Sequence, residues 1–161
     1  MDNLTKTERS RVMSKVRSKN TKPELMVRKK LFSLGFRYRL FQKIPGTPDL
    51  TLKKFKTAIF IHGCFWHNHQ GCKLNRLPKD HRSFWQNKKS RNQLHDLQVR
   101  SQLIQAGWRV IVVWECACKK SKLNELAKLI TEFLHDSSCQ FKEISANDLE
   151  NQPHTESRNP R

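Results

Sequence analysis

Acidic residues are scarce in this chain: 14 Asp and Glu stand against 32 Lys and Arg, a formal charge of +18 over 161 residues. A field of that sign draws polyanions, above all nucleic acid, and argues against acidic partners. Long apolar runs are also missing. No stretch reaches the roughly 18 residues that a membrane-spanning helix needs, and Met1 to Ser10 lacks the apolar centre of an export signal. A cytoplasmic protein with no membrane partner is expected. Cysteines are few and odd in number: Cys64, Cys72, Cys116, Cys118 and Cys139. Without export the thiols stay reduced, so metal ligation takes precedence over a disulfide framework. No internal repeat is present, and the length suits one compact domain. A ribosome-like basic protein would share the charge but not the motif that follows.

The segment Phe60-Ile61-His62-Gly63-Cys64-Phe65-Trp66-His67-Asn68-His69-Gln70-Gly71-Cys72 crowds three histidines, two cysteines and a Phe-Trp pair into thirteen residues. Such crowding of thiols and imidazoles points to a bound metal, and zinc takes four tetrahedral ligands from these side chains. Cys64, His67, His69 and Cys72 lie close together, and Cys116 follows a buried strand from which it can reach back. That makes five candidates for four places. Cys118 and Cys139 read as ordinary buried thiols, and His81, His95, His135 and His154 as surface residues. In so basic a chain, the Phe65-Trp66 pair beside a metal site suggests a wedge into DNA.

The remaining pattern is α/β. Residues 1–20 form a basic arm or short helix, with Val12, Met13 and Val16 giving only a thin apolar stripe. Thr21-Lys22-Pro23-Glu24 opens a helix, with Glu24 placed to complete a capping box; Leu25, Leu31, Phe32 and Leu34 are expected to pack inward and Gly35 to end it. Phe36 to Leu40 alternates as a half-buried strand does. Ile44 to Pro48 is a turn, Asp49 to Leu52 a short strand, and Lys56 to Ile61 its antiparallel neighbour. A polar helix runs from Ser83 through Leu94, Leu97, Leu103 and Ile104 to Gly107. Trp108 to Trp114 is a buried strand parallel to its neighbour, and Ser121 to His135 a last amphipathic helix. The chain divides into a DNA-contacting arm (1–20), a main domain (21–136) and a polar tail expected to be disordered (137–161).

Asp49 opens a hairpin about a dozen residues before His62. A carboxylate there, with a polar group on the next strand, is the layout of metal-dependent nucleases, in which the carboxylate holds Mg²⁺ against the scissile phosphate. Many such enzymes carry Glu-x-Lys on the second strand; here the place reads Phe60-Ile61-His62. A neutral histidine can serve as general base near pH 7.

These residues closely resemble the very short patch repair (Vsr) endonucleases. The resemblance rests on Met13, Ser18-Lys19-Asn20-Thr21 with Glu24, Pro45-Gly46-Thr47-Pro48-Asp49, and above all Ile59-Phe60-Ile61-His62-Gly63-Cys64-Phe65-Trp66-His67. Phe84-Trp85, Asn92 with Asp96, Gly107 to Val110 and Val113 to Cys116 extend it over residues 7 to 135. It implies a restriction-endonuclease-like core, a small mixed sheet flanked by helices, with a structural zinc site. It implies nicking of duplex DNA 5′ of the thymine in T·G mismatches that arise from 5-methylcytosine deamination. Asp49 and the Ile61 carbonyl would hold Mg²⁺, His67 would be the general base, and His62 would sit at the scissile phosphate. Glu24 and Asp96 would support the centre, Asp96 by fixing a histidine tautomer. Zinc would fall to Cys64, His69, Cys72 and Cys116. Phe65 and Trp66 would wedge into the duplex, with Met13 entering the other groove. Mismatch-repair proteins are further partner candidates, and a monomer is expected. The chain departs from the family pattern at Ile61, where a threonine is expected, at His95, where an arginine is expected, and at the His69-to-Cys72 spacing, one residue longer, with Gly71 able to absorb it.

Two other classes compete on the same residues. A zinc-stabilised DNA-binding module explains the charge and the wedge but leaves Asp49, His62 and His67 together without a reason. A cysteine-nucleophile enzyme pairing Cys64 with His67 is opposed by the zinc-like spacing.

Overall fold

The computed structural model describes residues 5–151. Its centre is one four-stranded mixed sheet in the order β1-β2-β3-β4. β1 (Leu50–Leu52) and β2 (Thr57–His62) form an antiparallel hairpin with Leu50 opposite Ile59. Lys56 makes the reversal in the left-handed region, at φ 45°. β3 (Arg109–Trp114) runs parallel to β2 with Ile61 opposite Val113, and β4 (Phe141–Ile144) runs parallel to β3 with Val110 opposite Phe141. Each parallel step needs a crossover. The first contains α3 (Arg82–Gln105) and the second α4 (Leu123–His135). α1 (Lys6–Ser14) and α2 (Lys22–Ser33) precede the sheet, and α5 (Ala146–Glu150) follows it.

The β-branched run Val110-Ile111-Val112-Val113 is covered on both sides because its side chains alternate faces. Ile111 and Val113, with Ile59 and Ile61, pack against Val27 and Leu31 of α2 and Leu126 and Ile130 of α4. Val110, Val112 and Trp114 face the other way, toward Val99 and Leu103 of α3. Each such side chain stabilises by roughly 1.5–3 kcal/mol when fully buried. The face under α3 is the one that leads into the functional cleft.

Several expectations are corrected. α2 turns Glu24, Val27, Arg28 and Leu31 inward, while Leu25, Phe32 and Leu34 are half exposed. Helical spacing decides this, because residues 24, 27, 28 and 31 share a face whatever their polarity, and Glu24 and Arg28 enter as an ion pair at 2.9 Å. On α3, Leu94 and Leu97 are exposed, and the buried positions are Lys89, Val99 and Leu103. Phe36 to Leu40 is not a strand; only Arg39 bridges, to Thr51. Phe36 and Tyr38 instead both pack on the core, and the Tyr38 hydroxyl donates to the Arg28 carbonyl (3.0 Å). The tail expected to be disordered from 137 supplies β4 and α5. Three apolar residues suffice there: Ile144 and Leu149 are fully buried, Phe141 is partly buried, and β4 covers an edge that β3 would otherwise leave unpaired. Residues 152–161 of that tail, and 1–4 of the arm, lie outside the described residues.

The turn before β1 aims Asp49. Gly46 sits at φ +74°, and a Cβ there would run into the Val99 side chain and crowd the Phe60 ring at 3.2 Å. Gly71 also has positive φ, +70°, but open space around it. Gly46→Ala is therefore expected to lower unfolding stability by about 1–3 kcal/mol more than Gly71→Ala, as urea denaturation of the two variants would show.

Candidate functional site

Asp49 stands where the hairpin begins, and its Oδ2 accepts the Ile61 N–H at 2.7 Å. Burial pushes its carboxyl up to about 6; the Ile61 hydrogen bond opposes the shift and the nearby Glu24 adds to it. Such a group is costly to ionise until a cation reaches it. Glu24 is already served. Its carboxylate accepts the Asn20 N–H (2.8 Å), the Thr21 hydroxyl (2.9 Å) and the Arg28 guanidinium (2.9 Å). The capping is thus shifted by one residue, since Glu24 reaches the amide before the Thr21 cap. Asn20 can take part because it occupies the left-handed region, at φ 54°.

His62 ends β2 and His67 lies in the loop that follows. Their rings stack at 3.8 Å, 7° from parallel. Asp96 on α3 reaches both: its Oδ2 is 2.7 Å from His67 Nδ1 and 4.0 Å from His62 Nδ1. Burial, reinforced by His67 and opposed by Asp96, lowers the His62 pKa to about 3, so this ring is neutral at physiological pH. The short bond from Asp96 turns His67 so that Nδ1 faces the carboxylate and Nε2 is left for the cleft. One cleft of about 790 Å³ is bordered by Glu24, Asp49, Ile61, His62, His67 and Asp96.

Two residues beyond His67 the chain serves a second cluster. Sγ of Cys64, Cys72 and Cys116 and a ring nitrogen of His69 all lie within 4.8 Å of one another. His69 Nδ1 is 3.4 Å from Cys64 Sγ and 3.6 Å from Cys116 Sγ. A tetrahedral zinc with its usual Zn–S and Zn–N bond lengths separates sulfur from nitrogen by about 3.6 Å, so these donors are already at ligand spacing. The Ala146 N–H points at Cys116 Sγ (3.4 Å), and His69 lies flat on Trp114 at 4.2 Å. Cys116 is the more acidic thiol, its charge held chiefly by the Cys64 thiol and by Ala146; the Cys64 thiol is pushed up by the same contact and by burial. A fully buried, proton-holding Cys64 is a poor nucleophile. Cys118 stands apart from the cluster, with burial pushing its thiol up to about 12.

His67 and His69 therefore fall in different clusters, His69 with the three thiols and His67 with His62 and Asp96. Asn68 separates them by turning the backbone through the left-handed region, at φ 55°. Gly71, between His69 and Cys72, has positive φ.

Phe65 and Trp66, the pair expected to act as a wedge, lie on the same loop. Phe65 and Trp66 meet edge to face at 5.3 Å, and Trp85 of α3 meets Phe65 at 5.3 Å and Trp66 at 5.8 Å. Met13 of α1 lines a hollow of about 600 Å³ shared with Phe65, Trp66, Phe84 and Trp85. Sequence pattern alone does not attach α3 to the Phe65–Trp66 pair. The signal lies in its spacing: Trp85, Lys88, Lys89, Asn92, Gln93 and Asp96 share one face, and each holds part of the loop. Lys88 lies 5.3 Å from the Trp66 ring centre. Asn92 donates to the Trp66 carbonyl (2.9 Å), and Gln93 accepts from Asn68 (3.1 Å).

A buried carboxylate and a carboxylate-oriented histidine on one cleft of a strongly basic molecule fit a DNA nuclease. Comparison with known proteins gives the family. The model described as DNA mismatch endonuclease Vsr matches residues 1–73. The type II nicking enzyme V.NmeAIP of Neisseria meningitidis serogroup A is 44% identical over 137 residues, covering 81% of this chain and 97% of that one. V.XorIIP of Xanthomonas oryzae pv. oryzae is 45% identical over 116 residues, 71% of this chain and 85% of that one. The DNA mismatch endonuclease Vsr of Escherichia coli K12 is 35% identical over 136 residues, 83% and 85% of the two chains. The chain belongs to the Vsr DNA mismatch endonuclease family.

If the thiol cluster binds zinc, Cys116→Ser should lose bound metal and lower the melting temperature together, whereas Cys118→Ser should leave metal content unchanged. Metal analysis beside a thermal scan of both variants checks this; full zinc content in Cys116→Ser would refute the ligand set.

Proposed function

We propose that this chain nicks one strand of duplex DNA on the 5′ side of the thymine in a T·G mismatch, in a Mg²⁺-dependent reaction that begins repair of deaminated 5-methylcytosine. The observation that carries the reading is the pairing of Asp49 with the His67–Asp96 couple across one cleft beside the Phe65–Trp66 wedge. The E. coli relative bears the name of a DNA mismatch endonuclease, and the other two are named nicking enzymes.

Asp49 fits a divalent cation: it is a buried carboxylate with a raised pKa, hydrogen-bonded to the backbone of Ile61. Magnesium held by Asp49 and the Ile61 carbonyl would supply Lewis-acid stabilisation of charge on the phosphate. The protein's own groups do the rest. Asp96 holds His67 with Nε2 free, and His67 takes the proton of the attacking water. His62, neutral and stacked on His67, donates to or accepts from the phosphate region without adding charge. Phe65 and Trp66 enter beside the mismatch, where unstacking costs least, and Met13 enters from the other groove. Zinc at Cys64, His69, Cys72 and Cys116 would staple β3 to the loop that bears these residues. Lys and Arg side chains neutralise phosphates, and the protein acts as a monomer in the bacterial cytoplasm, where it meets such DNA.

Asp49→Ala is expected to retain mismatch binding and lose at least about 10³-fold in Mg²⁺-dependent nicking, the scale of losing the electrostatic centre. Duplexes differing only in T·G or C·G at one position, with and without chelator, provide the assay. Tight binding with no nicking by the unsubstituted protein in any flanking sequence would favour the zinc-stabilised binding module. Binding to matched duplex should also fall with salt, at a log–log slope of about 0.9 per phosphate contacted; a flat response would remove the backbone contacts from the account.

A further inference from the structure

Lys89 is an anomaly on the polar helix α3. It is 3% exposed, whereas its neighbour Lys88 is only half-buried. A lysine stem normally lets the ammonium reach water, and a buried charge without a counter-charge is costly. Among the described residues no carboxylate lies within ion-pair distance of Lys89. Its Nζ instead donates to Asn75 Oδ1 and sits over the Phe65 ring, 3.9 Å from the centroid.

Asn75 extends the arrangement along the loop. Its amide nitrogen donates to Asn68 Oδ1 (3.0 Å) and to the His69 carbonyl (2.9 Å). Asn68 returns to α3 by donating to Gln93 Oε1 (3.1 Å). The chain Lys89–Asn75–Asn68–Gln93 therefore begins under the wedge and ends one turn from Asp96, which orients His67. Every polar atom it uses on the loop lies between Phe65 and Asn75, the stretch with no helix or strand to set its shape.

We propose that Lys89 is a positioning residue: from beneath the loop it pins the Phe65 ring for insertion into DNA and keeps the loop in register with the catalytic histidine. This rests on the reading of Phe65 and Trp66 as the wedge. A ring already held by a cation loses little freedom on entering the duplex, so the pin lowers the ordering cost of insertion. A buried, unpaired charge is at the same time a poor choice for stability. Stability and wedge action should therefore separate in variants, which a purely structural lysine would not allow.

The test uses the full zinc-loaded chain and a T·G duplex with 2-aminopurine beside the thymine, whose fluorescence reports unstacking on binding. Lys89→Met is expected to keep its zinc and its melting temperature, or raise the latter. It should slow both the fluorescence rise and single-turnover nicking by about 30-fold, the rate equivalent of one desolvated cation–π contact. Lys89→Arg, which restores a cation over the ring, should recover most of the rate. Wild-type fluorescence and nicking rates in Lys89→Met would overturn the proposal, and so would a rate loss accompanied by lost zinc or a lower melting temperature in both Lys89→Met and Lys89→Gln. Unstacking by the unsubstituted protein without nicking would instead defeat the nicking reading and leave the role of Lys89 to be decided by the fluorescence arm.

Discussion

The functional side chains of this protein depend on a loop that cannot shape itself. Residues 63–75 contain no helix or strand, yet they carry the Phe65–Trp66 pair, His67 and two of the clustered thiols. An irregular segment of that length holds a defined form only if external contacts replace the missing backbone ladder. Two do so here. On one side the loop closes around Cys116 at the end of β3. On the other it lies along the polar face of α3, where residues at helical spacing each engage one loop residue. Asn68, in the left-handed region, lets neighbouring histidines serve opposite sides.

This accounts for features that look unfavourable taken singly. α3 buries a lysine, exposes Leu94 and Leu97, and presents amides where a core helix would present aliphatics. Its apolar duty is confined to its C-terminal half, where Val99 and Leu103 meet the sheet. The N-terminal half works as a template for the loop. The sheet contributes by bringing Asp49, His62 and Cys116 to one end: β1 starts and β2 and β3 finish there, His62 directly opposite Trp114 in the parallel pair.

Much of this was legible in the sequence. The β1–β2 hairpin, the long α3, buried β3 and amphipathic α4 each announce themselves by period and length. The thiol cluster follows from residue type and spacing. What was hidden depended on three-dimensional neighbours. Leu25, Phe32 and Leu34 look like core by composition, but the face of α2 that meets the sheet begins at Glu24 and Arg28, whose mutual ion pair makes their burial tolerable. Phe36 to Leu40 has the alternation of a strand, yet the hairpin offers it only the Arg39–Thr51 bridge. β4 and α5 were missed because their polar residues face outward and only Ile144 and Leu149 are deeply buried. Residue type and spacing alone leave His67 and His69 undivided; the family resemblance separates them, and in the fold the left-handed Asn68 turns the backbone between them.

Amide hydrogen exchange on the metal-loaded protein, before and after chelation, tests most directly whether the loop is held from both sides. The account predicts that stripping the thiol cluster raises exchange across residues 63–75 and spreads to the loop-facing half of α3, while β2 and β3 stay protected. Unchanged protection of residues 63–75 after complete metal removal would contradict it, as would loss of protection throughout the sheet at once.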